Sequence, residues 1–128
     1  HPLYYALLLF QDAGQGRLLP TQTTSAANLV AHATRDDSGK VRVVLVNKDL
    51  TQGVVATVQV GGSFKAASQS RLSAPQANAL EGVTYASTAV AADGSWKRIL
   101  MTEKALAVRD GRAVVAVPAA SALVLTLE

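Results

Sequence analysis

The carboxylates of this chain determine what acid–base chemistry it can do. The sequence contains nine Asp and Glu among 128 residues. Hydrolysis of a glycosidic bond needs two carboxyl groups that face each other across a cleft, roughly 5–10 Å apart. Most of the nine lie instead in predicted turns, where Asp is favoured because its side chain hydrogen-bonds the local backbone. We therefore predict that the chain contains no catalytic residue.

Residues for metal and nucleophile chemistry are scarce. His32 is the one internal histidine and the chain has no cysteine, which excludes a thiolate zinc site and a thiol nucleophile. No serine stands in the Gly-x-Ser-x-Gly pattern of a nucleophile elbow. Asp36, Asp37 and Asp49 offer oxygen ligands for calcium, but no calcium-loop signature surrounds them. We expect neither a metal nor a cofactor.

The cationic side chains give a weak case for an anionic ligand. The formal net charge is +3, from 12 Lys and Arg against nine Asp and Glu. These cations are scattered, whereas nucleic-acid-binding proteins cluster them, so we expect no nucleic-acid partner. Arg109 and Arg112 flank a predicted turn and are the candidates for an anion site, for example one that binds an acidic sugar. A solvated hairpin tip with Asp110 between the two arginines explains the same pattern, and we favour it.

Trp96 and Tyr85 are the candidates for a sugar-stacking platform, because aromatic rings with a polar edge serve that role. The chain has only one Trp, three Tyr and two Phe. A single Trp beside a predicted turn is more typical of a core residue or a domain-contact residue. We therefore expect Trp96 to pack against protein.

The first residues predict a short helix, over about residues 2–12, that is apolar on every side. Such a helix must be covered all round, whereas one small sheet covers a single side. We therefore expect a piece of a larger protein, with Leu3, Tyr4, Leu7 and Phe10 as domain-contact residues. In the isolated chain these residues would form an apolar patch that promotes self-association. The segment is shorter than the roughly 20 residues of a membrane span, and we expect no membrane partner.

The remaining sequence predicts an antiparallel β-sandwich of about eight strands. Short β-branched and apolar runs are separated by Gly, Pro, Asn and Asp at regular spacing, which is typical of all-β domains. The predicted strands are 17–24, 28–35, 41–47, 54–60, 66–72, 83–85, 106–109, 112–117 and 122–127. The Asp110-Gly111 pair predicts a two-residue hairpin, in which Leu106 faces Val115 and Val108 faces Ala113.

Three segments resemble a known family of enzymes. The apolar run Pro2–Phe10 resembles the final barrel helix of clan A glycoside hydrolases. The run Val43–Asp49 (Val-Val-Leu-Val-Asn-Lys-Asp) resembles a strand and turn of the C-terminal β domain of those enzymes, and Val117–Leu125 resembles the closing strand of that domain. Their order and spacing are most similar to glycoside hydrolase family 79, the β-glucuronidase and heparanase-like enzymes.

The resemblance implies two parts. Residues 1–13 would be the last helix of a preceding (β/α)8 barrel, and residues 14–128 would be a C-terminal β-sandwich domain. In that family the catalytic glutamates lie on barrel strands, so neither maps to this chain. Tyr4, Tyr5, Phe10 and the Asn-Lys-Asp run at 47–49 match as structural residues, and we expect Asn47 to satisfy loop backbone groups.

The function implied is that of a non-catalytic accessory domain that packs on the barrel of a retaining glycoside hydrolase. The isolated chain would be inactive, and an acidic polysaccharide would be a partner through the parent enzyme. The resemblance implies a secreted or periplasmic parent. The alternative is an independent carbohydrate-binding or adhesion module, which would need a row of exposed aromatic residues.

Overall fold

The computed structural model describes residues 2–24, 28–61, 64–97 and 105–128. The helix and the strands found there are α1 (Pro2–Ala13), β1 (Arg17–Leu19), β2 (Leu29–Arg35), β3 (Val41–Asn47), β4 (Val54–Gln59), β5 (Ala66–Ser73), β6 (Thr84–Tyr85), β7 (Ala105–Ala107), β8 (Arg112–Val117) and β9 (Ser121–Leu127). The strands pair antiparallel in two sheets. This confirms the predicted all-β sandwich with one short N-terminal helix. Within the described ranges, no helix combines the length and apolarity needed to span a bilayer.

The larger sheet has seven strands, with β3 and β9 at its centre. Its order is β1-β2-β3-β9-β5-β6, and β7 also pairs with β5. Burial alternates along the whole of β3, because successive side chains of a strand point to opposite faces of the sheet. β9 is buried at nearly every position, including four consecutive residues from Ala122 to Leu125. A continuous apolar run of this length is typical of a strand that is covered on both faces.

The smaller sheet consists of β4 and β8 and packs on one face of the larger sheet. Ala113, Val115 and Val117 of β8 point inward and are buried, whereas the residues between them are exposed. The rest of the buried core between the two sheets comprises Ala33, Val41, Val43, Leu45, Ala67, Leu123, Leu125 and Leu127.

The opposite face of the larger sheet is covered by α1 and by residues 83–96. The helix contacts β3, β5, β6 and β9. A second buried cluster forms there from Tyr5, Val83, Tyr85 and Ala86, with Trp96 packed against it. The two central strands are therefore enclosed between the small sheet and the helix layer.

The hairpin predicted for residues 106–117 is only partly correct. Asp110 and Gly111 form a tight turn with φ values of 52° and 71°, and the flanking Arg109 and Arg112 pair across it as an isolated bridge. The strand before the turn does not continue along β8, because β7 pairs with β5, where Leu106 lies opposite Ala67. β7 can pair with the first part of β5, residues 66–68, because β6 occupies the same edge only at Leu72 and Ser73.

The first strand is also shorter than predicted. It ends at Leu19 instead of reaching residue 24. Pro20 follows, and proline has no N–H to donate to a strand ladder. The segment 20–24 then runs without regular structure.

Asn47 joins two loops at one end of the sandwich. Its side chain is 1% exposed, and Nδ2 donates to the carbonyl oxygens of Gln52 (2.9 Å), Val117 (3.2 Å) and Pro118 (3.3 Å). Its Oδ1 accepts from the Asp49 backbone N–H at 3.0 Å. Asn47 thus satisfies backbone groups of the loops after β3 and β8, as the sequence predicted.

We predict that Asn47→Ala lowers the free energy of unfolding by about 1–3 kcal/mol, because it leaves the buried Val117 carbonyl and several partly buried backbone groups without their partner. Urea denaturation followed by circular dichroism measures this loss. Asn78→Ala is the matched control, since Asn78 is exposed, and a surface change of this kind should alter stability by less than about 0.5 kcal/mol. Equal effects of the two substitutions would contradict the role given to Asn47.

Candidate functional site

The acidic residues considered for calcium do not come together. Asp36 and Asp49 lie at opposite ends of β3, and no described group of three or more His, Cys, Asp or Glu is placed to hold a metal. Hydrogen bonds from Ser38 and an ion pair with Arg42 at 2.7 Å occupy the Asp36 carboxylate and hold its pKa far below the usual range. The Asp49 carboxylate accepts backbone hydrogen bonds from Thr51 and Gln52, which lower its pKa. Both carboxylates therefore stabilise the turns in which they lie.

The candidate anion site at Arg109 and Arg112 lies on an exposed hairpin tip. The two residues exchange backbone hydrogen bonds of 2.9 Å across the turn, so their side chains leave the same end of the hairpin. Both residues and the intervening Asp110 are exposed. Neither arginine takes part in a salt bridge with another described residue. The tip is open to solvent, and the anion site remains a prediction.

The candidate sugar platform is not available, because one of its two rings is enclosed. Tyr85 is 0% exposed. The Trp96 ring packs on it with centroids 5.6 Å apart, and the Trp96 indole N–H donates to the Thr88 carbonyl at 3.3 Å. Trp96 therefore packs against protein, as expected, and stabilises the segment under the helix.

Helix α1 has one buried face and one exposed face. Tyr5 and Ala13 are buried, and Leu8 and Leu9 are half-buried against the second cluster. On the other side Leu3, Leu7 and Phe10 are 62%, 57% and 70% exposed, and Tyr4 is 40% exposed. We call Leu3, Tyr4, Leu7 and Phe10 the outer helix face. The positions 3, 7 and 10 follow the i, i+4, i+7 spacing that places side chains on one stripe of a helix.

The outer helix face differs from the other exposed apolar residues of the chain. Leu18, Leu50 and Leu80 are also exposed but lie on separate elements, and Val55 and Val114 form only a pair on the outer face of β4 and β8. Single exposed apolar residues are normal on protein surfaces, whereas a contiguous apolar patch marks an interaction site. The outer helix face is therefore the candidate functional site, and it consists of the four residues predicted as domain contacts.

Hydrogen bonds to distant residues fix the orientation of the helix on the sheet. The Tyr5 hydroxyl accepts from the Val90 backbone N–H at 2.8 Å, and the Tyr85 hydroxyl donates to the Asp12 carboxylate at 2.5 Å. The Thr34 hydroxyl donates to the Ala13 carbonyl at 2.7 Å, where the last turn of a helix lacks internal partners.

These anchors were only partly visible in the sequence. Tyr5 belongs to the apolar run that the family resemblance covers. Asp12 and Thr34 carried no signal, because their partners are remote in the chain. The sequence indicated only that the predicted helix ends at about Asp12, and it did not indicate a partner for the Asp12 side chain.

The fold defines this chain as a β-sandwich domain with one N-terminal helix, and solved structures share this fold. It superposes on a bifunctional glucanase-xylanase from a metagenome library with a TM-score of 0.68 and 16% identity, covering 98% of this chain and 22% of that one. It superposes on a GH30 endoxylanase from Clostridium papyrosolvens with a TM-score of 0.65 and 16% identity, covering 100% of this chain and 28% of that one. A GH51 arabinofuranosidase from Xanthomonas axonopodis gives a TM-score of 0.54 and 22% identity, with 87% of this chain and 21% of that one covered. The chain thus spans between a fifth and three tenths of the length of these proteins.

The sequence itself matches the model of the glycosyl hydrolase family 79 C-terminal beta domain over residues 31–124. This match covers most of the chain, and the chain belongs to that family. The resemblance found from the sequence is thereby confirmed. Comparison with curated protein sequences gave no match.

We predict that Tyr5→Phe destabilises the chain by about 1 kcal/mol, since the partly buried Val90 N–H loses its acceptor. Tyr4→Phe is the matched control on the neighbouring, outward position. It should change the free energy of unfolding by less than about 0.5 kcal/mol. Thermal and urea denaturation of both variants check this, and an equal loss in the two would show that the hydroxyl of Tyr5 does not anchor the helix.

Proposed function

We propose that this chain is the non-catalytic accessory β domain of a β-glucuronidase or heparanase-like glycoside hydrolase, and that it packs through the outer helix face on the catalytic (β/α)8 barrel. The observation that carries the proposal is the apolar stripe of α1, which is exposed although the opposite side of the same helix is anchored. Membership in a C-terminal domain family supports it. So does the small share of the structural relatives' chains that this domain covers.

The energetics favour a hydrophobic partner for this face. Burying one Leu or Phe side chain completely is worth about 1.5–3 kcal/mol. Leu3, Leu7 and Phe10 are each more than half exposed, so covering all three recovers several kcal/mol. A barrel surface of complementary shape would supply that cover, and the domain would stabilise the barrel in return.

The chemistry of the parent enzyme would lie outside this chain. Retaining hydrolysis uses two carboxyl groups about 5–5.5 Å apart. The Asp36, Asp49 and Asp93 carboxylates are engaged with neighbouring turn residues. The glucuronide or heparan sulfate specificity of the proposal rests on the family resemblance.

The alternative, an independent carbohydrate-binding or adhesion module, is less well supported. Such modules recognise sugars with exposed aromatic rings. Here Tyr85 is enclosed and Trp96 is half-buried against it. The exposed aromatic residues of the described part are Tyr4 and Phe10 of the outer helix face, which the domain-packing proposal already uses.

We predict that the isolated chain hydrolyses neither an aryl β-glucuronide nor heparan sulfate. The reason is that the carboxylates of Asp36, Asp49 and Asp93 are engaged in turns, and that the family resemblance places the catalytic glutamates on the barrel. Release of the aryl group is followed by absorbance, and polysaccharide cleavage by size-exclusion chromatography. Turnover that survives repeated purification and exceeds a buffer blank would refute the non-catalytic role.

We further predict that the triple substitution Leu3→Ser, Leu7→Ser, Phe10→Ser abolishes self-association of the isolated chain and leaves the sheets folded. The apolar patch that drives association is lost, whereas the anchored face is untouched. Analytical ultracentrifugation measures association, and far-UV circular dichroism reports the fold.

The control for this experiment removes three exposed apolar residues elsewhere, through Leu18→Ser, Leu50→Ser and Leu80→Ser. This variant should associate like the unmodified chain. In the longer enzyme, the helix variant should lower the unfolding temperature and the control should not. A parent enzyme that tolerates the helix variant unchanged would contradict packing through this face.

A further inference from the structure

One end of the sandwich carries cationic side chains that are far apart in the sequence. The end of β2, the start of β3, the end of β9 and the start of β5 are paired there. β8 begins at the same end, because Asn47 at the far end of β3 bonds the Val117 carbonyl at the end of β8. We call this region the basic end. Its Lys and Arg residues are Arg17, Arg35, Lys40, Arg42, Lys65, Arg109 and Arg112.

Four of these residues form two arginine pairs. Arg17 on β1 lies directly opposite Arg35 on β2, and Arg109 lies opposite Arg112 across the hairpin turn. Residues that are directly opposite in an antiparallel ladder have Cβ atoms about 4.5–5.5 Å apart on one face, and like charges there destabilise the pairing. All four arginines are exposed. An external anion that bound such a pair would remove the repulsion.

The acidic residues of the basic end neutralise only two of its cations. The Asp36 carboxylate pairs with Arg42 at 2.7 Å, and the Glu128 carboxylate pairs with Lys40 at 3.2 Å. The two other acidic residues there are exposed and lie in turns, namely Asp37 and Asp110. Within the part of the chain that the structure describes, no salt bridge forms to the remaining cations, which are Arg17, Arg35, Lys65, Arg109 and Arg112. The surface of the basic end is therefore positive.

We propose that the basic end is a binding surface for an acidic polysaccharide, whose carboxylate or sulfate groups bridge the two arginine pairs. A guanidinium group suits such oxyanions, because its fixed fork of N–H donors forms two parallel hydrogen bonds. The basic end and the outer helix face share no residue, so the domain would hold a polysaccharide in addition to packing on the barrel. The choice of a polysaccharide rests on the proposed function, whereas the arrangement of the charges does not depend on it.

The separation of the two arginine pairs favours a polymer over a single small anion. Arg17 and Arg35 belong to the larger sheet, whereas Arg112 begins β8 of the smaller sheet. Packed sheets lie about 10 Å apart, so one phosphate or sulfate ion cannot contact both pairs at once. A polysaccharide that carries acidic groups on successive sugars can occupy both pairs.

A nucleic acid fits the basic end less well. Proteins that bind single strands combine a basic groove with aromatic side chains on which the bases stack. The exposed aromatic residues of the described part, Tyr4 and Phe10, belong to the outer helix face. The basic end thus offers cations without stacking partners, which suits a chain of polar sugars that carries charged groups.

Calorimetric titration of the isolated chain with a heparin-derived dodecasaccharide tests the proposal. At about 50 mM salt the unmodified chain should bind, and added salt should weaken binding because it screens the charges. Two double variants, Arg17→Gln with Arg35→Gln and Arg109→Gln with Arg112→Gln, should each bind about tenfold more weakly, since each loses two ion pairs with the ligand. Neither variant should lower the unfolding temperature, because the substitutions relieve repulsion between facing like charges.

Lys48→Gln with Lys97→Gln is the matched control, because it removes two exposed cations that do not belong to the basic end. It lowers the net charge by the same amount as each arginine variant and should weaken binding by less than about threefold. Equal weakening by the control and by the arginine variants would mean that net charge alone attracts the polysaccharide, and this would overturn the proposal. An absence of binding at low salt would overturn it as well.

Two further titrations separate the other possible ligands. A DNA duplex of similar charge that binds at least as tightly as the dodecasaccharide would identify a nucleic acid as the partner and refute the polysaccharide. Sodium sulfate that binds as tightly as the dodecasaccharide would show a site for one small anion, which also contradicts the proposal. None of these results bears on packing against the barrel, which is read separately from the helix variant.

Discussion

The pairing of β9 with β3 organises the domain. Seven residues of each strand align in register, from Val41 with Leu127 to Asn47 with Ser121. On its other edge β9 pairs with β5, so the strand nearest the end of the sequence lies in the middle of the sheet. Residues 48–120 separate β3 from β9, and closing such a long loop costs conformational entropy that the gain from buried apolar surface must exceed. The sheet therefore exists only when distant parts of the chain are held together.

The two faces of this central pair have different partners. One face carries Leu123 and Leu125 into the core against β4 and β8, and this layer is apolar except at its end, where Asn47 is hydrogen-bonded to loop backbone groups. The other face lies under α1, where hydrogen bonds that involve tyrosine, aspartate and threonine side chains add directional contacts. Apolar packing is tolerant of small shifts, whereas hydrogen bonds fix position and angle. The difference explains why the helix is oriented well enough to present a defined apolar stripe.

Much of the fold followed from local patterns in the sequence. The alternation of β3, the apolar run of β9, the turn at Asp110-Gly111 and the apolar opening helix each predicted the element observed. The role of Asn47 was also predictable, since Asn is favoured where loop backbone groups need partners. The outer helix face was predicted from geometry alone, because a helix that is apolar all round cannot bury every side against one sheet.

The features that could not be predicted depend on long-range pairing. β7 pairs with β5 and not with β8, because the edge of β5 is free at that point. The local sequence around Leu106 does not indicate which sheet edge is free. The Asp12–Tyr85 contact joins residues that are 73 positions apart. Val54, Ala56 and Val58 of β4 are only half-buried, and this too was hidden, because their alternation is the same whether the strand has a neighbour on one edge or on both.

The anchoring of α1 has a mechanical consequence. Domains joined by a flexible linker move relative to each other unless a large apolar interface holds them. Here three hydrogen bonds hold the helix on β2, on β6 and on the loop at Val90, so the helix is rigidly connected to the sandwich. A domain bound to the outer helix face would therefore move together with the sandwich as one rigid body.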